Sequence, residues 1–323
     1  MKRIALVLGA AVLAACAPVA DTDPMMEPVA AVSSFDRAAL TTVLAAQPED
    51  TQARYAFRHP LETLEFFGIA PGMTVVDVLP GAKGEGWYTP ILASYLGSGN
   101  ETATLVGVDY SLDMWPEFGG FATPEFLEGK KSWGTEWVSG AEARLAAGDF
   151  GDADIDFAAT TFGADNAAFA GMADAVLFMR AMHNLARFED KGGYMTTALA
   201  DTYAMLKPGG IVGVVQHRAP TDAAAGWATG ENGYLKQQDV IDAFTAAGFE
   251  FVRASEVNAN PLDRPDATEG SEDSVWRLPP TLATSRIRDE DDAATRAEKT
   301  ALRETLKAVG ESDRMTLLFR KPS

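Results

Sequence analysis

The chain has 323 residues, 47% of them hydrophobic, which is ample material for a buried core and excludes a wholly disordered protein. Its formal charge is −19, from 27 Lys and Arg against 46 Asp and Glu, and so acidic a surface argues against nucleic acid as a partner, because phosphate contacts need cations. A single cysteine, Cys16, excludes an intrachain disulfide, and three scattered histidines without paired-carboxylate spacing indicate no metal site.

Met1-Lys2-Arg3 is a short basic start, and Ile4 to Ala15 is an unbroken apolar or small-residue run. The run falls short of the roughly 20 residues a bilayer span needs, and it has the length of a signal-peptide apolar region. Its end, Leu13-Ala14-Ala15-Cys16, resembles the lipobox of bacterial lipoproteins. That resemblance implies cleavage before Cys16 and lipidation of it, with several acyl chains giving a stable anchor. Ala17 in place of Asp resembles the outer-membrane sorting case. The expectation is an exported protein on the periplasmic side of the cell envelope, an outer-membrane lipoprotein that meets the membrane through its lipid anchor only. Residues 1–16 are then a signal peptide, 17–34 a flexible tether of Ala, Pro, Asp and Met, and 35–323 one folded domain.

Ser34 or Asp36 can cap a helix running to about Ala46. A second helix is predicted over Pro48 to Tyr55, and a third over Pro60 to Phe67, with proline in its first turn and Gly68 past its end. Strands and helices then alternate. Thr74 to Leu79 is a short apolar run behind the Pro71-Gly72 turn, so it reads as a buried strand. Helix is predicted over Trp87 to Leu96, a second strand over Thr104 to Asp109, and an irregular aromatic stretch with some helix over 111–154. Further strands are predicted over Ile155 to Phe162, Ala173 to Met179, Ile211 to Gln216, Glu250 to Glu256 and Met315 to Arg320. Helices are predicted over Tyr194 to Leu206 and Gln237 to Ala247. Such alternation implies a mostly parallel sheet covered on both faces. The long polar stretch 257–312, with a charged helix near Asp291 to Val309, interrupts it.

The first strand ends in Asp77-Val78-Leu79-Pro80-Gly81-Ala82-Lys83-Gly84-Glu85-Gly86-Trp87-Tyr88-Thr89. A glycine-rich turn there lets the backbone approach a ligand, and the following helix N-terminus favours an anion. The second strand ends in Asp109, where a carboxylate can hold two ribose hydroxyls. Together these read as a nucleoside-cofactor site at the carboxyl ends of the strands.

These residues carry a resemblance to the class I S-adenosylmethionine-dependent methyltransferases. Asp77 and its glycines resemble their first motif, Asp109 their ribose acid, and Lys207-Pro208-Gly209-Gly210 their turn before strand five. Arg58-His59-Pro60, Phe66-Phe67-Gly68-Ile69, Gly86-Trp87-Tyr88-Thr89 and Arg180-Ala181-Met182-His183-Asn184 resemble, more narrowly, a bacterial family of poorly characterised methyltransferases. The resemblance spans about 50 to 323. It implies a Rossmann-like α/β fold with a seven-stranded methyltransferase sheet, mostly parallel with the last strand antiparallel, and helices on both faces. It implies S-adenosylmethionine as cofactor, held by Asp77, Pro80, Gly81, Gly84, Gly86, Asp109, Tyr110, Phe162 and Gly163. His183, Arg180, Asn184 and Tyr88 are the expected catalytic residues. The expected pocket for a small-molecule substrate is His59, His217, Trp276, Arg277 and Arg314, with the 257–312 insertion as a lid over the ligand face. No feature fixes an oligomeric state. The sequence departs from the usual Asp-x-Gly-x-Gly-x-Gly loop at Leu79 and Pro80, and Lys83 and Glu85 look inserted.

Two other classes compete. A nicotinamide dehydrogenase shares the strand, glycine loop and acid, but Gly81, Gly84 and Gly86 do not have its glycine spacing. A catalytically degenerate methyltransferase fold, acting as an envelope binding or structural lipoprotein, answers the objection that S-adenosylmethionine is a cytosolic metabolite.

Overall fold

The computed structural model describes residues 34–323; Cys16, the signal peptide and all of the tether before Ser34 lie outside the described residues. Seven strands form one sheet: β1 (Thr74–Val78), β2 (Ala103–Asp109), β3 (Ile155–Thr161), β4 (Ala173–Met179), β5 (Leu206–His217), β6 (Glu250–Ser255) and β7 (Arg314–Arg320). Their spatial order is β3-β2-β1-β4-β5-β7-β6. Strands β1 to β5 pair in parallel, and β7 runs antiparallel between β5 and β6. This is the Rossmann-like methyltransferase sheet that the resemblance implies.

Alternate residues of the central strands feed two separate cores. Val76, Val78, Val106 and Val108 face one, and Val75 and Leu105 face the other. A strand wetted on neither side must be apolar at successive positions, which is why β1 and β2 read as runs rather than alternations. The exception is β6, an edge strand whose Phe251 and Val252 are exposed.

Twelve helices are described: α1 (Arg37–Ala45), α2 (Glu49–Gln52), α3 (Tyr55–Arg58), α4 (Pro60–Phe67), α5 (Thr89–Leu96), α6 (Pro124–Lys131), α7 (Trp133–Ala146), α8 (Met182–Arg187), α9 (Glu189–Gly192), α10 (Tyr194–Met205), α11 (Gln237–Ala246) and α12 (Ala293–Val309). The helix predicted over Pro48 to Tyr55 is instead the short pair α2 and α3. The second of these stops at His59, whose φ of 40° suits a residue that Pro60 bars from the right-handed helix. Strand β5 begins at Leu206, ahead of the predicted Ile211, so Lys207-Pro208-Gly209-Gly210 is strand with a register shift opposite Ala173 and Ala175 rather than a free turn.

The chain leaves β1 for β2 and β3 on one side of the sheet, and β4 for β5 on the other. The adjacent ends of β1 and β4 therefore flank a topological switch point, where open sheets form a ligand crevice. Because β6 is parallel to β5 and β7 is antiparallel, the 257–312 connection starts and finishes at that same edge.

Candidate functional site

Both strands at the switch point end in a left-handed residue. Leu79 (φ 59°) donates its N–H to Val108 O at 2.7 Å, and Arg180 (φ 67°) donates to Val215 O at 2.7 Å. Such a conformation costs a non-glycine residue on the order of 1–3 kcal/mol, and it persists only where the surroundings over-determine it. Here the bond to the neighbouring strand holds the backbone while the chain turns off the sheet. Leu79 and Arg180 line one cavity of about 250 Å³.

His183 from α8, His217 from the end of β5, and Trp276 from the insertion complete the polar and aromatic wall. The two imidazole rings lie 5.4 Å apart, and the Trp276 ring is 6.2 Å from His183, edge-on. Gln216 Nε2 donates to Gly233 O at 3.0 Å, which turns its Oε1 toward His183 Nδ1 at 3.4 Å. Nδ1 is then the donor, and Nε2 is left as a bare acceptor. Burial, with the Arg180 and Arg187 charges, lowers His183 to about 4, against the Gln216 bond. Burial likewise holds His217 well below the usual histidine value, and its Nδ1 meets Ser312 Oγ at 2.5 Å. Both rings are neutral at physiological pH.

Beside this wall lies a group of buried arginines. Glu311 accepts from Arg54, from Arg58 Nε at 3.2 Å and from Arg314 Nη1 at 3.0 Å. Arg314 also donates to Phe57 O, and the Tyr88 hydroxyl to Arg58 O at 3.4 Å. The Arg58 guanidinium stands over the Trp87 ring. Glu311 is the carboxylate that Arg54, Arg58 and Arg314 share. Burial, with Arg180 nearby, lowers Arg58 to about 9; burial and Arg314 lower Arg180 to about 10.

The glycine turn lies on the other side of β1. A Cβ on Gly86 would meet Pro80 O at 1.9 Å, and one on Gly81 would meet Gly86 Cα at 3.4 Å, so the two ends of the loop touch. Residues 82–85 are therefore pinched out as an excursion, closed by Glu85 N–H to Ala82 O at 2.9 Å and resting on α7, where a Cβ on Gly140 would collide with Lys83. The insertion thus leaves a compact Pro80-Gly81-Gly86 turn behind it. The Gly81 carbonyl accepts from Trp133 Nε1 at 2.9 Å, while the N–H groups of Gly81 and Gly86 donate to no acceptor among the described residues.

Asp77 is 2% exposed, and its one hydrogen bond is from Thr89 Oγ1 at 3.3 Å; burial raises it to about 7. Asp109, 1% exposed, accepts from its neighbour Tyr110 N–H at 2.9 Å and from Lys130 Nζ at 2.7 Å. Burial raises its carboxyl too, against the pull of Lys130, whose ammonium also stands 3.8 Å over the Trp115 ring.

Of the expected residues, the structure brings Arg180, His183, Asn184, His217 and Trp276 to one cavity. Several others lie elsewhere. Phe162 is stacked on Phe178 with 6° between the rings and Gly163 N–H is held by Asp201; the two line a second cavity, with Ser111, Asp113 and Tyr194, rather than the one at the ends of β1, β4 and β5. Tyr110 is wholly buried and donates its hydroxyl to Ala181 O at 2.7 Å. Gly84 belongs to the excursion on α7. Arg277 is captured by Asp263 and Asp273 instead of reaching the cavity. Arg314, Tyr88 and His59 do not line the cavity: Arg314 stands behind Glu311, Tyr88 is tied to Arg58, and His59 joins α3 to α4. Sequence reasoning missed Lys130, Gln216 and Arg54. Lys130 sits in the stretch 111–154, which has no periodicity to place it, and Arg54 reaches a carboxylate 257 positions away.

No protein-family model and no curated protein matches the chain. Among solved structures it is similar to the 4+2 cyclase SpnF, with TM-score 0.46 and 17% identity over 83% of this chain and 81% of that one. It is similar to a SAM-dependent methyltransferase from Aquifex aeolicus, with TM-score 0.41 and 16% identity over 69% of this chain and 94% of that one. It is also similar to an arsenic(III) S-adenosylmethionine methyltransferase from Chlamydomonas reinhardtii, with TM-score 0.40 and 16% identity over 88% of this chain and 73% of that one.

Proposed function

We propose that this chain transfers a methyl group from S-adenosylmethionine to a small-molecule acceptor. The observation that carries the reading is the placement, on one methyltransferase-type sheet, of a glycine turn after β1, a buried acid at the end of β2 and a cavity at the ends of β1, β4 and β5. The residues fit the cofactor on one condition. The turn offers the free N–H groups of Gly81 and Gly86, and Asp109 is positioned for two ribose hydroxyls once Lys130, a flexible side chain 15% exposed, withdraws. The cofactor, when bound, supplies an electrophilic sulfonium methyl. The protein aligns the acceptor against it, which can account for much of the acceleration. Trp276 and the Leu79 side chain wall off water, and the bare Nε2 of neutral His183 is available to an acceptor proton.

Titration of the purified chain with S-adenosylhomocysteine tests this. Removing a charged acceptor of two hydrogen bonds costs about 1.5–3 kcal/mol or more, so Asp109→Ala weakens binding at least tenfold. A folded Asp109→Ala protein that binds like the parent would show the site to be misplaced.

The Asp109–Lys130 pair favours a second reading, because it already neutralises the ribose acid: a catalytically degenerate fold acting as an envelope binding or structural lipoprotein. A parent protein that binds neither S-adenosylmethionine nor S-adenosylhomocysteine would remove the methyl-transfer reading and leave this one standing. Export and lipidation at Cys16 are part of both proposals.

A further inference from the structure

We propose that the cavity at the ends of β1, β4 and β5 takes a small molecule bearing an oxyanion, a carboxylate or a phosphate, gripped by Arg180 with Arg58 and Arg314 behind it. The argument is one of charge and unmade bonds. A protein of formal charge −19 buries Arg58 and Arg314, each 2% exposed, next to Arg180 and Arg54, and among the described residues Glu311 is the one carboxylate paired with any of the four. Four guanidiniums against one carboxylate leave a local excess of three positive charges. Arginine does not shed its proton to escape burial, so this excess is costly unless an anion answers it.

The hydrogen bonds show the same deficit. The two oxygens of Glu311 serve Arg54, Arg58 and Arg314. Arg58 Nη1 and Arg314 Nε remain buried with no partner. Arg180 lines the cavity directly, and among the described residues its side chain takes part in no hydrogen bond or ion pair. The nearby acids are already engaged, Asp263 by Arg277 and Asp313 by Arg218. Glu311 also lines the cavity, but its oxygens are taken by Arg54, Arg58 and Arg314, and the rest of the wall is neutral, with two uncharged imidazoles, the Asn184 amide and Trp276. A planar guanidinium in such surroundings binds an oxyanion in a two-pronged, charge-assisted way. The cavity, about 250 Å³, suits a compact ligand.

Naming this ligand as the methyl acceptor rests on the methyl-transfer reading; anion binding itself does not. The experiment is calorimetric titration of the full chain with inorganic phosphate, acetate and the neutral isostere acetamide, each with and without saturating S-adenosylhomocysteine. At least one oxyanion binds, acetamide does not, and S-adenosylhomocysteine leaves the affinity unchanged or improves it. Arg180→Gln and Arg180→Lys, checked for folding by circular dichroism, weaken the oxyanion at least tenfold, whereas Arg286→Gln, a change at an exposed arginine, has no effect. Failure of the parent to bind either oxyanion, equal binding of acetamide, or undiminished binding by a folded Arg180 variant overturns the proposal. Displacement by S-adenosylhomocysteine also overturns it, because the guanidiniums would then serve the cofactor's own carboxylate. Oxyanion binding in a protein that ignores S-adenosylhomocysteine upholds the anion site and removes the methyl-transfer reading alone.

Discussion

Asp77 begins the glycine turn, yet its carboxyl is buried with one long hydrogen bond from Thr89 and is raised from 3.8 to about 7. The folded protein holds this proton more tightly than the unfolded chain does. The group's contribution to stability is therefore fully present below about pH 4 and lost as pH rises toward about 7. At about 1.4 kcal/mol per unit, the whole loss is roughly 4 kcal/mol, of which somewhat more than half falls between roughly pH 5 and pH 8. Asp77→Asn keeps an oxygen for Thr89 and cannot ionise. Urea unfolding followed by tryptophan fluorescence, run on parent and variant across that interval, isolates the effect as the change in their stability difference. The variant gains on the parent by about 1–3 kcal/mol from the acid end to the alkaline end, whatever its absolute stability. A difference that stays flat with pH would refute the reasoning, since Asp77 would then be ionised in the fold and must have a partner other than Thr89.

Three further outcomes are expected. Gly86→Ala forces Pro80 and Gly86 apart, because its Cβ falls 1.9 Å from a backbone oxygen; it lowers stability by about 1–3 kcal/mol and abolishes S-adenosylhomocysteine binding, while Gly120→Ala, in open space, stays within about 0.5 kcal/mol in thermal unfolding. Trp276→Ala removes a half-buried ring that lines the cavity, so it weakens ligand binding several-fold in calorimetry and costs less stability than the roughly 3–5 kcal/mol of a core tryptophan. Mass spectrometry of the native amino terminus finds acylated Cys16 in the membrane fraction; unprocessed protein in the cytosol would end the export reading.

The strands of the sheet were legible because each is a short apolar run fenced by turn residues, a pattern that depends on neighbours in sequence. The antiparallel last strand came with the resemblance, and from it the 257–312 connection must start and finish beside the strand ends, where Trp276 lies. What stayed hidden depends on partners far apart. Nothing local tells that Arg277 will be taken by Asp263 and Asp273 while Arg180 will be left free to line the cavity. Phe162, just past the end of β3, is stacked on Phe178 and lines a cavity separate from the one that holds Arg180, a separation that no local pattern announces. The inserted residues of the glycine loop looked like a distortion of the turn. The contact between Pro80 and Gly86 shows them to be an appendage that leaves the turn intact.

The two halves of the site stand in opposite electrostatic states, and this orders their roles. On the β2 side, the Asp109 carboxylate is already matched by Lys130, so a ligand entering there must displace a charged partner before its own hydroxyls can bond, which offsets part of what those bonds contribute. On the β4 side, Arg180 lines the cavity and Arg58 Nη1 and Arg314 Nε lack acceptors, because one carboxylate, Glu311, serves three guanidiniums, so an anion that meets Arg180 has no ion pair of that residue to break. Selection is then strongest where the protein is least satisfied. The acidic exterior does not contradict this. Surface charges act over a Debye length of about 8 Å at physiological salt, whereas buried groups are screened far less. The exterior therefore discourages anions in general, and the cavity retains one that is small enough to enter and shaped to meet Arg180.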